Sequence, residues 1–358
     1  MKVKVGIVGT GNMGKCHSEA LRRLGFVEVV ASYSEGSIEH AKKRADDLLI
    51  PQGYADFGDF IQHPELQVVH ICTPNHLHYQ QTKLALLAGK HVICEKPLAM
   101  TLAEGEELTS LAESKGLVHA VHFNWSFFPM MHETKARIKK GDLGELVAFN
   151  CSFLQDWLFD KESYDWRMET EYTGHSRVVS DLGSHCFQLL EWMTGNKIRK
   201  ILAKYKTIYP IRDGKEINNE DLAFLLLEMD NGALGQMQFN QCVAGAKSKL
   251  AWELQGTKMS ISWNSYQPNQ LELGFRQQPN QLLQDPALYT DEAKALGGFL
   301  YGLSDTSRAL FAVIYDKILG TEKYQTSYPD FNAGVRTLYL CQKAYDAQKA
   351  DKWLCVES

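Results

Sequence analysis

Through about residue 122, short apolar runs alternate with amphipathic stretches. The runs "VKVGIVG", "VEVVAS", "LQVVHICT", "KHVICE" and "LVHAVHF" are rich in β-branched residues and apolar on both faces. Between them, residues 12–24, 79–87 and 101–115 repeat their apolar positions at helical spacing. Strands buried on both faces and alternating with helices predict an α/β Rossmann-type domain, a doubly wound parallel sheet. From Phe123 the pattern changes. One helical segment, 131–140, leads to "GELVAFNCSFLQ" and then to longer strand candidates such as "KILAKYKTIYP", "DLAFLLLEMD" and "GALGQMQFNQ". Apolar and polar positions alternate more strictly here, and "DNG" between two of the runs is a hairpin signal. This predicts an α+β domain on a large, mainly antiparallel open sheet, closed by a helix near 332–348. The expected domains are 1–122 and 123–358.

Composition narrows the function classes. A chain of 358 residues has room for two cores. Its net charge of -5 and pI of about 6.2 argue against a nucleic-acid surface or an anionic membrane as partner. No run approaches the roughly 18 apolar residues that span a bilayer. The start "MKVKVGIVGTG" enters a strand and lacks a signal peptide's apolar core, so a cytoplasmic location is expected. Eight cysteines are scattered without a C-x-x-C pair. They read as small buried hydrophobes in a reducing compartment, and no metal site is expected.

The segment "GIVGTGNMGKCH" places Gly9, Gly11 and Gly14 in the G-x-G-x-x-G spacing, between the first strand and the first helix. In that context the three glycines serve in turn a tight turn, a close approach for pyrophosphate, and close helix–strand packing. Thr10, Asn12 and Met13 complete the turn, whose helix N-terminus holds the phosphates. The fingerprint expects an acid about 20 residues on, for the ribose. Here "VVASYSEGS" offers Ser34 and then Glu35, with Lys42, Lys43 and Arg44 further along as a solvated helix face. With no arginine beside Ser34, the reading is NAD, with NADP not excluded.

"HVICEKPLAM" ends a strand in Glu95 and Lys96 before Pro97, and Thr101 to Glu104 is a capping box that starts the next helix. Lys96 therefore falls at the carboxyl edge of a parallel sheet, where such sheets place ligands. "TPNHLH", 73–78, lies on the same edge. Further on, Asp181 and His185 in "VVSDLGSHCFQLLEWM" are four apart and share one helix face. A carboxylate beside an imidazole orients it and raises its basicity.

Together the glycine turn, Thr73-Pro74-Asn75 with His78, Glu95-Lys96-Pro97 and Asp181-Leu-Gly-Ser-His185 resemble the Gfo/Idh/MocA family of nicotinamide-dependent sugar oxidoreductases. The resemblance covers essentially the whole chain. It implies that His185 is the base, that Lys96 donates a hydrogen bond to the reacting oxygen, and that Asp181 orients the pair. It further implies that Glu95 binds the nicotinamide ribose and that Asn75 and His76 line the cofactor cleft. Relatives often carry an aspartate where this chain has Gln188. His175 replaces a usual glycine, either entering the pocket or facing solvent.

The stretch "SFLQDWLFDKESYDWRMETEYTGHSR" offers aromatic faces beside hydrogen-bonding groups, which suits a pyranose ring. Asp156, Trp157, Trp166 and Arg167 are its candidate substrate contacts, and Asn124 and Gln188 are counted with them. Oligomer packing is the alternative use of such residues. The expected activity is NAD(P)-dependent oxidation of a secondary ring hydroxyl of a sugar or glycoside. Alternatives are a cyclitol dehydrogenase, a glycoside hydrolase acting through transient oxidation, and a non-catalytic nucleotide-binding regulator. Few helices follow residue 195 to cover the second sheet, so a homo-oligomer, dimer or tetramer, is expected.

Overall fold

Strands that are apolar on both faces need cover on both, and the amino-terminal half supplies it. β1 (Val3–Val8), β2 (Val27–Tyr33), β3 (Gln52–Tyr54), β4 (Val68–Ile71), β5 (His91–Cys94) and β6 (His119–Val121) pair in parallel in the order β3-β2-β1-β4-β5-β6. Connecting them are α1 (Asn12–Arg22), α2 (Ile38–Asp47), α3 (Phe57–Ile61), α4 (Asn75–Leu87) and α5 (Leu102–Ser114). The strand order reverses between β1 and β4, which creates the crevice where such sheets bind ligands. The capping box at Thr101 and Glu104 forms as the sequence indicates. The computed structural model describes residues 2–296 and 301–357.

Beyond this half come α6 (Pro129–Lys140), β7 (Leu146–Leu154), α7 (Thr170–Thr173), a π-helical turn Val179–Gly183 and α8 (Ser184–Thr194). They are followed by β8 (Ile198–Lys206), β9 (Ile211–Arg212), β10 (Lys215–Glu216), β11 (Leu222–Met229), β12 (Leu234–Asn240), β13 (Lys249–Gly256), β14 (Ser260–Asn264), β15 (Leu271–Gly274), β16 (Gln281–Leu283) and α9 (Asp291–Lys294). The chain ends through α10 (Leu303–Leu319), α11 (Phe331–Ala350) and β17 (Leu354–Cys355). Among the described residues a nine-stranded sheet runs β16-β15-β14-β13-β7-β12-β11-β8-β17. Its pairs are antiparallel except β7 with β12. Strict alternation is visible in β11, where Ala223, Leu225 and Leu227 are buried while Phe224 and Leu226 face outward. On the inner face Phe187 of α8 meets Phe239 of β12 edge-on, with ring centroids 6.2 Å apart.

Two compact units result: Met1–Asn124 with Leu303–Leu338, and Trp125–Gly302 with Tyr339–Ser358. The first boundary lies two residues beyond the expected 122. The return of residues 303–338 to the first unit departs from the sequence expectation, which placed everything after 122 in the second domain. α10 itself was unforeseen. Ten of its residues are buried, including Phe311, Ile314 and Tyr315, so its side chains are consumed by packing within the first unit. All eight cysteines are free thiols, and Cys72, Cys94, Cys186 and Cys341 are buried as hydrophobes.

Candidate active site

The glycine turn has the shape its spacing predicts. Gly9 adopts φ +87, and a Cβ there would lie 2.8 Å from the Cys72 backbone. A Cβ on Gly14 would lie 2.0 Å from the Gly9 carbonyl oxygen, so this glycine lets α1 seat against the turn. Gly11, the N-cap of α1, is different: a Cβ there meets nothing within 4 Å. The space outside the helix N-terminus is open, as a pyrophosphate cradle requires, and the residues present fit a dinucleotide. Asn12 and Gly11 are exposed and Met13 is half-buried at the same mouth.

At the end of β2, the Ser34 hydroxyl lies 2.6 Å from that of Thr10, and Glu35 is exposed. One expectation fails here. Arg44 is no solvated bystander: its guanidinium donates to the Thr10 carbonyl and, at 3.2 Å, to the Thr10 hydroxyl. An arginine thus stands beside the Thr10–Ser34 pair, its side chain reaching the glycine loop from α2.

The carboxyl edges of β4 and β5 carry the next residues. Pro74 is the N-cap of α4, so Asn75 and the exposed His76 open that helix. Thr73 donates its hydroxyl to Gln81 at 2.6 Å. His78 is buried, with Nδ1 2.7 Å from the Pro97 carbonyl and Nε2 2.8 Å from the Thr73 carbonyl. Both ring nitrogens face backbone carbonyls, and burial favours the neutral ring, which donates to one of them, so His78 braces the loops from inside. The Lys96–Pro97 peptide is cis, and Lys96 is half-buried at this edge.

Glu95 turns inward. Its Oε1 accepts from His17 Nε2 at 2.9 Å and from His122 Nδ1 at 2.8 Å, while Oε2 lies 3.3 Å from the Lys96 amide. The sequence expectation assigned this carboxylate to the nicotinamide ribose, and its Oε1 is instead occupied within the unit. Burial would push the Glu95 carboxyl up, but the two imidazoles outweigh it and hold the group well below the usual carboxylate range. Burial pushes His17 down to about 4 and His70 well below the ordinary imidazole value. A neutral His17 that donates from Nε2 keeps a lone pair on Nδ1, and His70 Nδ1 donates to it at 2.9 Å. His70 Nε2 then accepts from the Tyr315 hydroxyl at 2.9 Å. His17, Glu95 and His122 also present three ligand atoms within 4.8 Å of one another. Two of their separations are shorter than the roughly 3.4 Å between donors on a tetrahedral metal. Protons, not a cation, fit between them. His17, His70 and His122 carry no motif of their own, so sequence reasoning missed them.

In the second unit, Asp181 lies in the π-helical turn and His185 in the first turn of α8. Gly183 permits this turn, since a Cβ there would come within 2.9 Å of the Phe239 ring. The sequence indicated an ordinary helix; the chain instead makes a π-turn here, and π-turns recur at functional sites. Gln241, also unforeseen, donates to Asp181 Oδ2 at 2.8 Å. The His185 ring is buried between Trp125 and Phe153, each 6.4 Å away by centroids.

The aromatic stretch assembles in part. The Arg167 guanidinium sits 4.4 Å from the Trp166 ring and 5.9 Å from the Trp157 ring. Asp156 pairs with Lys247, and Trp157 donates to Gln155 at 2.7 Å. Beneath them, fully buried Arg212 donates to the carbonyls of Leu158 and Asp160 and to Asp221, which also accepts from Arg177. Gln188 is buried in α8. Asn124 belongs to the first unit, where its amide donates to Thr306 at 2.9 Å. His175 is exposed and stacks on Tyr345 at 5.3 Å, which resolves it as a surface residue.

Residues 3–123 match the family described as an oxidoreductase family with an NAD-binding Rossmann fold, and residues 131–262 match the GFO/IDH/MocA C-terminal domain. The chain is 32% identical to the uncharacterized oxidoreductase YfiI of Bacillus subtilis, covering 75% of this chain and 72% of that protein. It is 27% identical to a levoglucosan dehydrogenase of Pseudarthrobacter phenanthrenivorans, covering 84% and 83%. Its fold matches levoglucosan dehydrogenase bound to NADH and levoglucosan with a TM-score of 0.92, at 25% identity over 100% of both chains. It also matches an inositol dehydrogenase homologue of Azotobacter vinelandii bound to NADH and myo-inositol, with a TM-score of 0.90 at 25% identity over 99% and 98%.

Proposed function

The chain belongs to the GFO/IDH/MocA family of oxidoreductases with an NAD-binding Rossmann domain, and from that premise we propose that it oxidises a secondary ring hydroxyl of a sugar or glycoside with NAD. The observation that carries the reading is the open cradle at Gly11, together with Lys96 at the adjacent sheet edge. The dinucleotide, when bound, accepts the hydride. The chain's own residues must then manage a proton and a developing alkoxide. In this reading His185 takes the hydroxyl proton, Asp181 orients His185, and Lys96 donates a hydrogen bond to the reacting oxygen. Gln241 fixes the Asp181 carboxylate, and Trp125 with Phe153 keeps water from the imidazole.

The substrate class follows from the second unit and from the relatives. Trp157 and Trp166 flank the Arg167 guanidinium at 5.9 and 4.4 Å, a polar–aromatic cluster suited to a sugar ring, and the two solved relatives named above are bound to a sugar and a cyclitol. A wall that hydrogen-bonds several hydroxyls discriminates strongly against analogues lacking them. The test is a panel of glucosides, anhydrosugars, free hexoses, inositols and short alcohols, read by NADH formation and by mass change in the sugar. A preference for an acyclic alcohol would overturn ring recognition, and a preference for inositol would move the substrate to the cyclitols. We propose also that a second copy of the chain covers the outer face of the nine-stranded sheet.

A further inference from the structure

We propose that His17 and His122 are positioning residues that hold Glu95 as a fixed anion beneath the nicotinamide end of the dinucleotide site, so that the site favours the cationic, oxidised nicotinamide over the reduced one. The inference rests on the dehydrogenase reading above and adds a charge device to it.

Glu95 stands where that device requires it. The Glu95 amide donates to the Ile71 carbonyl at 2.9 Å, extending the β4–β5 pairing by one residue past the strand ends. A dinucleotide whose pyrophosphate sits on α1 at the β1–β4 switch lays one nucleoside toward β2 and the other over the ends of β4 and β5. Glu95 is at that part of the edge, one residue before Lys96, where the second nucleoside would rest. His17 lies on α1, three residues after Gly14, so the helix that cradles the phosphates also grips this carboxylate.

The protons around it can be placed one by one. Tyr315 donates to His70, His70 to His17, and His17 to Glu95. On the other side Ser307 Oγ donates to His122 Nε2 at 3.0 Å, and His122 Nδ1 donates to Glu95. With all three rings neutral, this assignment uses every ring nitrogen and leaves the carboxylate as the one charged member. The Phe311 ring packs 4.8–5.3 Å from all three imidazoles and fixes their planes. A buried carboxylate with two dedicated donors and no cationic side chain in the chain of bonds is an anion kept for use.

The experiment measures dissociation constants for NAD+ and NADH separately, by calorimetry, in the wild type and in Glu95→Gln. The substitution keeps shape and removes charge, so the preference for NAD+ over NADH should fall about tenfold, the worth of one nearby, partly screened charge. His122→Gln, which can still donate, should keep most of the wild-type ratio. His122→Leu should make the ratio pH-dependent, with the NAD+ preference lost on acidification as the under-solvated carboxylate takes a proton. Should Glu95→Gln fail to fold, 15N shifts of the wild-type imidazoles decide. Neutral rings protonated at His17 Nε2, His70 Nδ1 and His122 Nδ1 support the proposal, and an imidazolium at His122 overturns it. Wild-type protein that binds neither dinucleotide overturns the functional reading and this inference with it. Binding of both with an unmoved ratio in Glu95→Gln overturns this inference alone.

Discussion

At the scale of single residues, the proposed chemistry is assigned to groups whose surroundings narrow what they can do. His185 is buried between two aromatic rings, on a helix that begins at Asp181's turn. His185→Ala or Lys96→Ala should therefore cut turnover by about 10²–10⁴-fold, the usual worth of a positioned acid–base group. Dinucleotide affinity should survive in both, and steady-state kinetics beside calorimetry separates the two effects. Near-normal turnover in His185→Ala would contradict its role as base. A second residue-scale prediction concerns the adenosine corner, where Glu35 is exposed and Arg44 donates to Thr10. Because the arginine is already engaged by the Thr10 carbonyl, NAD should bind at least about tenfold tighter than NADP, roughly 1.4 kcal/mol. Titration of the apo-protein with both dinucleotides measures this, and the reverse order would show that Arg44 is available to a 2′-phosphate. Candidate residues carried by a motif could be named from the sequence: the glycines, and Lys96, Asp181 and His185, to which the proposal gives the acid–base work. Those defined only by what they touch could not. Arg44, Gln241 and the three buried histidines acquire their partners through tertiary contact, across as many as 245 positions for His70 and Tyr315.

At the scale of elements, the glycine turn makes a prediction that separates folding from binding. A methyl at Gly14 meets the Gly9 carbonyl oxygen at 2.0 Å, whereas one at Gly11 meets nothing within 4 Å. Gly14→Ala should destabilise the first unit by about 3 kcal/mol or more, since backbone cannot yield as a side chain does. Gly11→Ala should melt like the wild type yet lose most dinucleotide affinity, because the methyl occupies the pyrophosphate's approach. Thermal melts with and without NAD check both. Equal behaviour of the two variants would refute the division of labour between these glycines. Five of the six parallel strands were legible because burial on both faces leaves continuous apolar runs, whereas β3, three residues with none fully buried, leaves no such run. Among the other elements that escaped, two did so through tertiary contact. The π-turn at Val179–Gly183 packs Gly183 where a Cβ would lie 2.9 Å from the Phe239 ring, a tertiary contact no periodicity encodes. α10 joins the first unit although it follows the second in sequence, and chain order alone carries no sign of that return.

At the scale of the whole molecule, the buried histidines make stability depend on pH, and the open sheet is where the second copy is proposed to bind. His17 in the first unit is pushed down to about 4 and His132 in the second to about 3, each chiefly by burial. Both are neutral in the folded state where an unfolded histidine, with its pKa near 6.5, takes a proton. Between pH 6.5 and 4 the unfolded chain therefore binds more protons, and stability must fall as pH falls. At pH 5 each histidine contributes a loss of about 2 kcal/mol relative to neutral pH. Urea midpoints at pH 7 and pH 5 test this, and equal midpoints would mean that the imidazoles are already charged when folded. The open sheet makes the last prediction. Phe224, Leu226 and Leu234 are 49%, 47% and 57% exposed on strands whose other face is core. They stand among Lys200, paired with Glu228 at 2.9 Å, and Lys249 and Glu253, beside a groove of about 760 Å³. A face with apolar residues at its middle and both signs of charge around them is complementary to a copy of itself. α10, a long helix after residue 195, spends its buried side chains within the first unit and is not available as that cover. Light scattering at micromolar concentration should then give a mass above that of one chain. Leu226→Asp, which sets a charge at the centre of the face and leaves the core side untouched, should reduce it to the monomer. A wild-type monomer would leave the exposed strands without their proposed cover and sink the assembly.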